Sequence, residues 1–219
     1  MKQRKIKIKK DKLLTGFTLI ELIVVMTIFL IIIGAGIGIF ISIVQYQKRI
    51  LSEQELLNQA SYLVEYMSKA IRMAKKDIMG DCLGIDYAGY IYLLTRPDAS
   101  NDFYRGIKFI NQSDSNACQE FFLDNSDINN PILKEVKNYN PGENNPEIPL
   151  TSTNLKINSA RFGINGRDGL ITSGIEGANE EDGAQPRATI YLDIKVQGGQ
   201  DQPVKKIQTT VSQRDLNEK

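Results

Sequence analysis

From Phe17 to Val44 the chain is apolar at every position except Thr18, Glu21, Thr27 and Ser42. As a helix this run measures about 42 Å at ~1.5 Å per residue, more than the roughly 30 Å hydrocarbon core of a bilayer. The preceding segment is basic. Lys2, Arg4, Lys5, Lys7, Lys9, Lys10 and Lys12 stand there against Asp11 alone. Cationic flanks stay in the cytoplasm, so everything beyond residue 45 is expected outside it.

Two ordinary explanations compete for this region. A secretory signal has a shorter apolar core followed by a small-residue cleavage site. Here the run is too long, and Ser42 to Tyr46 offers no such site. A plain single-pass anchor explains the length and the flank, but it gives no reason for Glu21. A carboxylate in hydrocarbon costs roughly 2.5 kcal/mol or more near the centre, and less where it reaches towards water.

The stretch Gly16-Phe17-Thr18-Leu19-Ile20-Glu21 follows a short basic leader and opens an apolar helix. It resembles the class III signal of type IV pilins and type II secretion pseudopilins. The resemblance covers residues 1 to about 45. It implies that a prepilin peptidase cuts after Gly16, removing residues 1–16, and methylates the new amine of Phe17. It also implies that Glu21, the fifth mature residue, serves assembly. The physical logic agrees with this. Where water is scarce an ammonium and a carboxylate compensate each other, and neither is stable alone. Pairing Glu21 with the Phe17 amine of a neighbouring subunit would set the axial register of incoming helices.

One departure from the family stands out. Many pilins carry a proline partway along the apolar helix, whereas the first proline here is Pro97. Gly34, Gly36 and Gly38 occupy this stretch instead. Each weakens a helix by roughly 1 kcal/mol relative to alanine. Gly34-x-x-x-Gly38 is also a close-approach spacing for membrane helices. Local flexibility and helix packing both remain open as roles.

The helix is expected to continue over residues 45–79, to about Ile78. Leu57, Ala60, Val64, Met67, Ile71, Ala74 and Ile78 form one apolar stripe at spacings of three and four. Packing on a sheet suits this stripe better than a coiled coil, because Ala60 and Ala74 are small and the run ends near Gly80. Residues 80–219 then change period. Gly89–Thr95, Gly106–Asn111, Glu120–Leu123 and, more weakly, Ile132–Val136 read as strands. Residues 138–154 read as a loop. Leu155–Ile164 reads as a strand with a bend or bulge, and residues 165–187 as a long excursion. Ile190, Leu192, Ile194 and Val196 alternate with polar neighbours, and Val204–Val211 returns after a turn at Gly198–Pro203, which predicts a hairpin. The expected fold is α+β and pilin-like: a long N-terminal helix, membrane-spanning over residues 17–44, packed on a C-terminal antiparallel sheet.

The chain has 219 residues, with 27 basic against 26 acidic. Without the leader, residues 17–219 carry 20 basic and 25 acidic residues, a net −5 that does not imply nucleic acid as the partner of the folded domain. With no histidine, the commonest general base and metal ligand is missing. Thr172 and Ser173 have no partner base in the sequence, and no Ser-x-x-Lys pattern suggests a hydrolase. Asp124 to Asn130 alternates oxygen ligands but lacks the glycine and terminal glutamate of a calcium loop, so solvated loops are the simpler reading there and at 165–182. Cys82 and Cys118 form a disulfide outside the cytoplasm, or remain two thiols.

These features make the chain a prepilin-like subunit and not an enzyme, with no metal or cofactor. Residues 62–74 and the large sheet region are similar to J-type minor pseudopilins and W-type minor pilins. The resemblance implies prepilin peptidase, other pilin or pseudopilin subunits, an inner-membrane assembly platform and, before assembly, membrane lipid as partners. It places the chain first in the inner membrane, then in a filament in the periplasm or at the cell surface. An uncleaved single-pass protein with an outer binding domain is the alternative.

Overall fold

The computed structural model describes residues 16–98, 103–127, 129–138, 146–152, 154–166, 169–170, 185–196 and 203–214. The leader up to Thr15, the candidate residues Thr172 and Ser173, and most of the 165–187 excursion lie outside them. The fold is α+β and pilin-like, with one long N-terminal helix and a C-terminal sheet that is antiparallel in all but one ladder. The helix, α1, spans Leu19–Arg72. The chain divides into two compact units, Met1–Lys48 and Arg49–Lys219.

In the first unit α1 has no buried residue. Only Val44 is half-buried, and Leu19, Ile20, Ile31 and Phe40 are each more than 60% exposed. Two of the polar interruptions are satisfied within the helix. Thr27 Oγ1 donates to the Val24 carbonyl at 2.8 Å, and Ser42 Oγ to the Gly38 carbonyl at 3.0 Å. Neither hydroxyl therefore needs water, and this lowers the cost of placing it in an apolar medium.

In the second unit α1 buries one face. Leu56, Ala60, Leu63, Met67, Ala70 and Ile71 are covered. The sequence stripe is right at its centre and wrong at its ends. Leu57 is 42% exposed, and Leu56 takes its place. Ile78 is 73% exposed because the helix stops at Arg72, short of the expected Ile78.

The sheet supplies the reason for the early stop. Among the described residues its strands are β1 (Ala74–Lys75), β2 (Tyr92–Pro97), β3 (Tyr104–Asn111), β4 (Ala117–Asp124), β5 (Ile132–Asn138), β6 (Ile148–Pro149), β7 (Leu155–Asn165), β8 (Gly169–Leu170), β9 (Arg187–Val196) and β10 (Val204–Ser212). β1 leaves the helical path to pair with the end of β3, Ala74 opposite Asn111. Carbonyls freed around the helix end are taken one by one. Ile71 O accepts from Tyr92 Oη at 2.9 Å and Arg72 O from the Arg214 amide at 2.9 Å. Met73 O accepts from the Gln112 amide and Ala74 O from Gln213 Nε2, each at 3.0 Å. A helix end needs such partners for its last carbonyls, and here distant strands provide them.

The strands run β10-β9-β7-β3-β4-β5-β6 across the sheet, with β1 and β2 also on β3 and the short β8 parallel to β2. The predicted β9–β10 hairpin is present, with nine residue pairs in continuous register. β7 shifts register between Ile157 and Ser159, the bulge expected for that strand. The core lies between α1 and the sheet. Met67 and Ile71 share one buried cluster there with Phe109, Phe121, Ile157 and Ile190. On the opposite face of β3, Gly106 is required by close approach. A Cβ there would sit 2.3 Å from Thr95 Oγ1, which donates to Glu120 across the strand.

Candidate functional site

The candidate site is the start of α1. Thr18 precedes the first helical residue, and its carbonyl accepts the first helical bond from the Leu22 amide at 3.2 Å. Thr18 Oγ1 accepts from the Glu21 amide at 3.4 Å. Thr18 is therefore the N-cap and Glu21 the third helical residue, the spacing of a capping box. Sequence reasoning gave Thr18 no role, although Ser/Thr-x-x-Glu before an apolar run is a local signal. Glu21 also places a negative charge in the first turn, where the helix dipole favours it.

Gly16 and Phe17 lie just outside the helix and are exposed; the Phe17 side chain is 76% accessible. A Cβ built on Gly16 meets no atom within 4 Å. The requirement for glycine there is thus not one of internal packing. The same holds for Gly34, Gly36 and Gly38, which sit inside continuous helix with open space beside them. α1 runs through all three unbroken.

Cys82 and Cys118 are bonded, with Cα atoms 5.4 Å apart. The bond ties the loop after β1 to β4. Asp77 completes the tie. Its buried carboxylate accepts from the amides of Gly80, Cys82 and Leu83 at 2.9, 2.9 and 2.7 Å. Gly80 has φ +75°, and a Cβ there would lie 2.7 Å from the Gly84 carbonyl oxygen, so this turn needs glycine.

A buried polar chain fastens α1 to the sheet. Tyr66 Oη donates to the Glu135 carboxylate at 2.8 and 3.0 Å, and Gln119 Nε2 donates to it at 2.5 Å. Lys137 Nζ lies 3.2 Å from Glu135 and 2.7 Å from Asp114. Burial disfavours the Lys137 ammonium, but hydrogen bonds to Asp114 and Glu135 outweigh it and raise its pKa. Burial, then the Glu135 hydrogen bond, raises that of Tyr66. These groups are spent on one another and leave no free acid–base pair.

The oxygen-rich stretch at 124–130 is likewise spoken for at its first residue. Asp124 accepts from the Ser126 amide and hydroxyl and pairs with Lys134 at 2.5 Å. The Lys134 and Ser126 hydrogen bonds hold its carboxyl well below the usual carboxylate range. Among the described residues, no three His, Cys, Asp or Glu side chains converge as a metal site would require.

Residues 15–37 match the family model for the prokaryotic N-terminal methylation motif. The matched span contains Gly16, Phe17, Thr18, Glu21 and the first two glycines of the run. No curated protein and no solved structure matches the chain. The motif supports the type IV pilin and pseudopilin class and a helix fit for inner-membrane anchoring.

Proposed function

We propose that this chain is a prepilin-like subunit, cut after Gly16 and methylated at Phe17, that assembles into or primes a filament. The observation that carries the reading is the first unit of α1. Its apolar side chains are exposed apart from the half-buried Val44, so it needs lipid or other helices, and its capped first turn presents Glu21 within the matched methylation motif. Cutting after Gly16 would create an ammonium on Phe17 at the positive end of the helix dipole. Glu21 in the third helical position offsets that charge until a neighbouring subunit's amine replaces the contact.

The partners on this reading are prepilin peptidase, other pilin-like subunits, an inner-membrane assembly platform and lipid. The basic leader places the N-terminus in the cytoplasm, and the Cys82–Cys118 bond suits an oxidising exterior for the second unit. We assign the chain to the minor subunits of J or W type on residues 62–74 and its large sheet, and to assembly rather than catalysis. The spent polar network and the missing histidine favour that assignment.

Mass spectrometry of the mature N-terminus tests the proposal. N-methylphenylalanine at Phe17 is the expected result. An intact Met1 would establish the uncleaved-anchor alternative instead. Gly16→Val should abolish processing, while Glu21→Ala should leave cleavage intact and remove assembly. A normal filament built from the Glu21→Ala chain would end the pairing role.

A further inference from the structure

The two edges of the sheet are treated differently. One edge closes with β6, two residues long and containing Pro149, which covers the middle of β5. A short edge with proline is a standard defence against unwanted strand pairing. The other edge is β10, nine residues without proline or bulge, in unbroken register with β9. Among the described residues β10 pairs with β9 alone. Alternate residues of such a strand point their N–H and C=O groups outward, so about four positions offer backbone hydrogen bonds.

The side chains of β10 state what fits. The strand holds Lys205 and Lys206 and no carboxylate. Lys205 is engaged on the helix side, in an ion pair with Glu53. Lys206 points to the other face, 82% exposed, in a long ion pair with its cross-strand neighbour Asp193 at 4.0 Å. Val204, half-exposed, and the exposed Gln208 and Thr210 share its face. A second copy of β10 would put four lysines into one ribbon without an acid of its own. We propose that β10 is a docking edge for an extended, acidic segment of a partner protein, added as a further strand with a carboxylate near Lys206.

The proposal concerns the second unit only and is independent of processing at Gly16. The test uses the full chain in detergent micelles with two nine-residue peptides. One has the sequence Thr-Val-Glu-Val-Thr-Val-Glu-Val-Thr, and the other carries lysine in place of both glutamates. The acidic peptide should bind at least ~10-fold more tightly in fluorescence anisotropy, a difference of about 1.4 kcal/mol. It should also slow amide hydrogen exchange at alternate residues of 204–212. Lys206→Glu should reverse the preference, with exchange across β9 showing that the fold is intact. Equal binding of both peptides, or no slowing in β10, would overturn the proposal. So would protection of β10 that grows with chain concentration and ignores the peptides, which would assign the edge to a second copy.

Discussion

The two stretches of α1 lie on one continuous helix and solve opposite problems. Residues 19–48 bury no apolar side chain and cover only Val44 in part, whereas residues 49–72 bury one apolar face at regular intervals against the sheet. The two ends of α1 differ in the same sense. Its N-terminus is capped from three residues away by Thr18. Its last carbonyls, of Ile71 and Arg72, are met by Tyr92 and Arg214, 21 and 142 residues further along the chain, and those of Met73 and Ala74 just beyond it by Gln112 and Gln213. One half is complete only in an apolar medium, and the other is complete only once the chain has folded.

The largest expected effect comes from making one truncation in each stretch. Met67 is fully buried, so Met67→Ala should cost about 4 kcal/mol of second-unit stability through lost burial and the cavity left behind. Ile31 is 71% exposed, and Ile31→Ala should leave that stability within about 0.5 kcal/mol. Urea unfolding followed through the second unit measures both. Equal losses would break the comparison, because residue 31 would then have a partner within the chain.

The region just beyond the helix gives the next effect. The Cys82–Cys118 bond closes a separation of 36 residues. Replacing both with serine should cost about 4 kcal/mol on the loop-entropy account. Asp77 alone cannot hold the loop to β4, since its three acceptor contacts all fall within residues 80–83. Unfolding under reducing and non-reducing conditions measures the difference, and the serine double variant should lose its sensitivity to reductant.

These contrasts explain what the sequence could reveal. The apolar run, the N-terminal methylation motif and the β9–β10 pairing are patterns of neighbouring residues, and the structure and the motif match agree with them. The centre of the helix stripe and the seven longer strands were legible to within a few residues for the same reason, whereas β6 and β8 lie in stretches that read as loops. The end of α1 was not legible, because Ala74 and Ile78 continue the helical spacing while β3 offers Ala74 a competing ladder. Nothing in the residues around Asp77 and Glu135 signals that they are buried. Their burial depends on amides five or six residues on in one case, and on Tyr66, 69 residues away, in the other. The Thr18 cap was legible in principle, but it is masked because the same residues carry the methylation motif.

Removing one distant cap should give a smaller loss. Gln213 is buried and donates to the Ala74 carbonyl. Gln213→Leu keeps the volume roughly constant and strands that carbonyl, for a cost of about 2 kcal/mol. Hydrogen exchange should rise first at Ala74 and Lys75, where β1 meets β3. A loss spread evenly over the second unit would mean that the cap is not a local clamp.

The smallest effect belongs to the other end. Thr18→Ala removes the side-chain acceptor for the Glu21 amide, and loss of an N-cap costs about 1 kcal/mol. The cost should stay in the first turn, because nothing in the described first unit packs on it. Urea unfolding of the second unit should be unchanged, while exchange at the Glu21 amide should quicken about five-fold, the factor that 1 kcal/mol gives. Thr18→Ser should restore slow exchange, since serine offers the same oxygen. The pair of variants also separates two uses of one residue. If Thr18→Ala blocks methylation of Phe17 while Thr18→Ser does not, the cap itself is read by the processing enzyme. If both are processed normally, Thr18 serves only to hold Glu21 in the helix, and the cap contributes to assembly after cleavage rather than to cleavage itself.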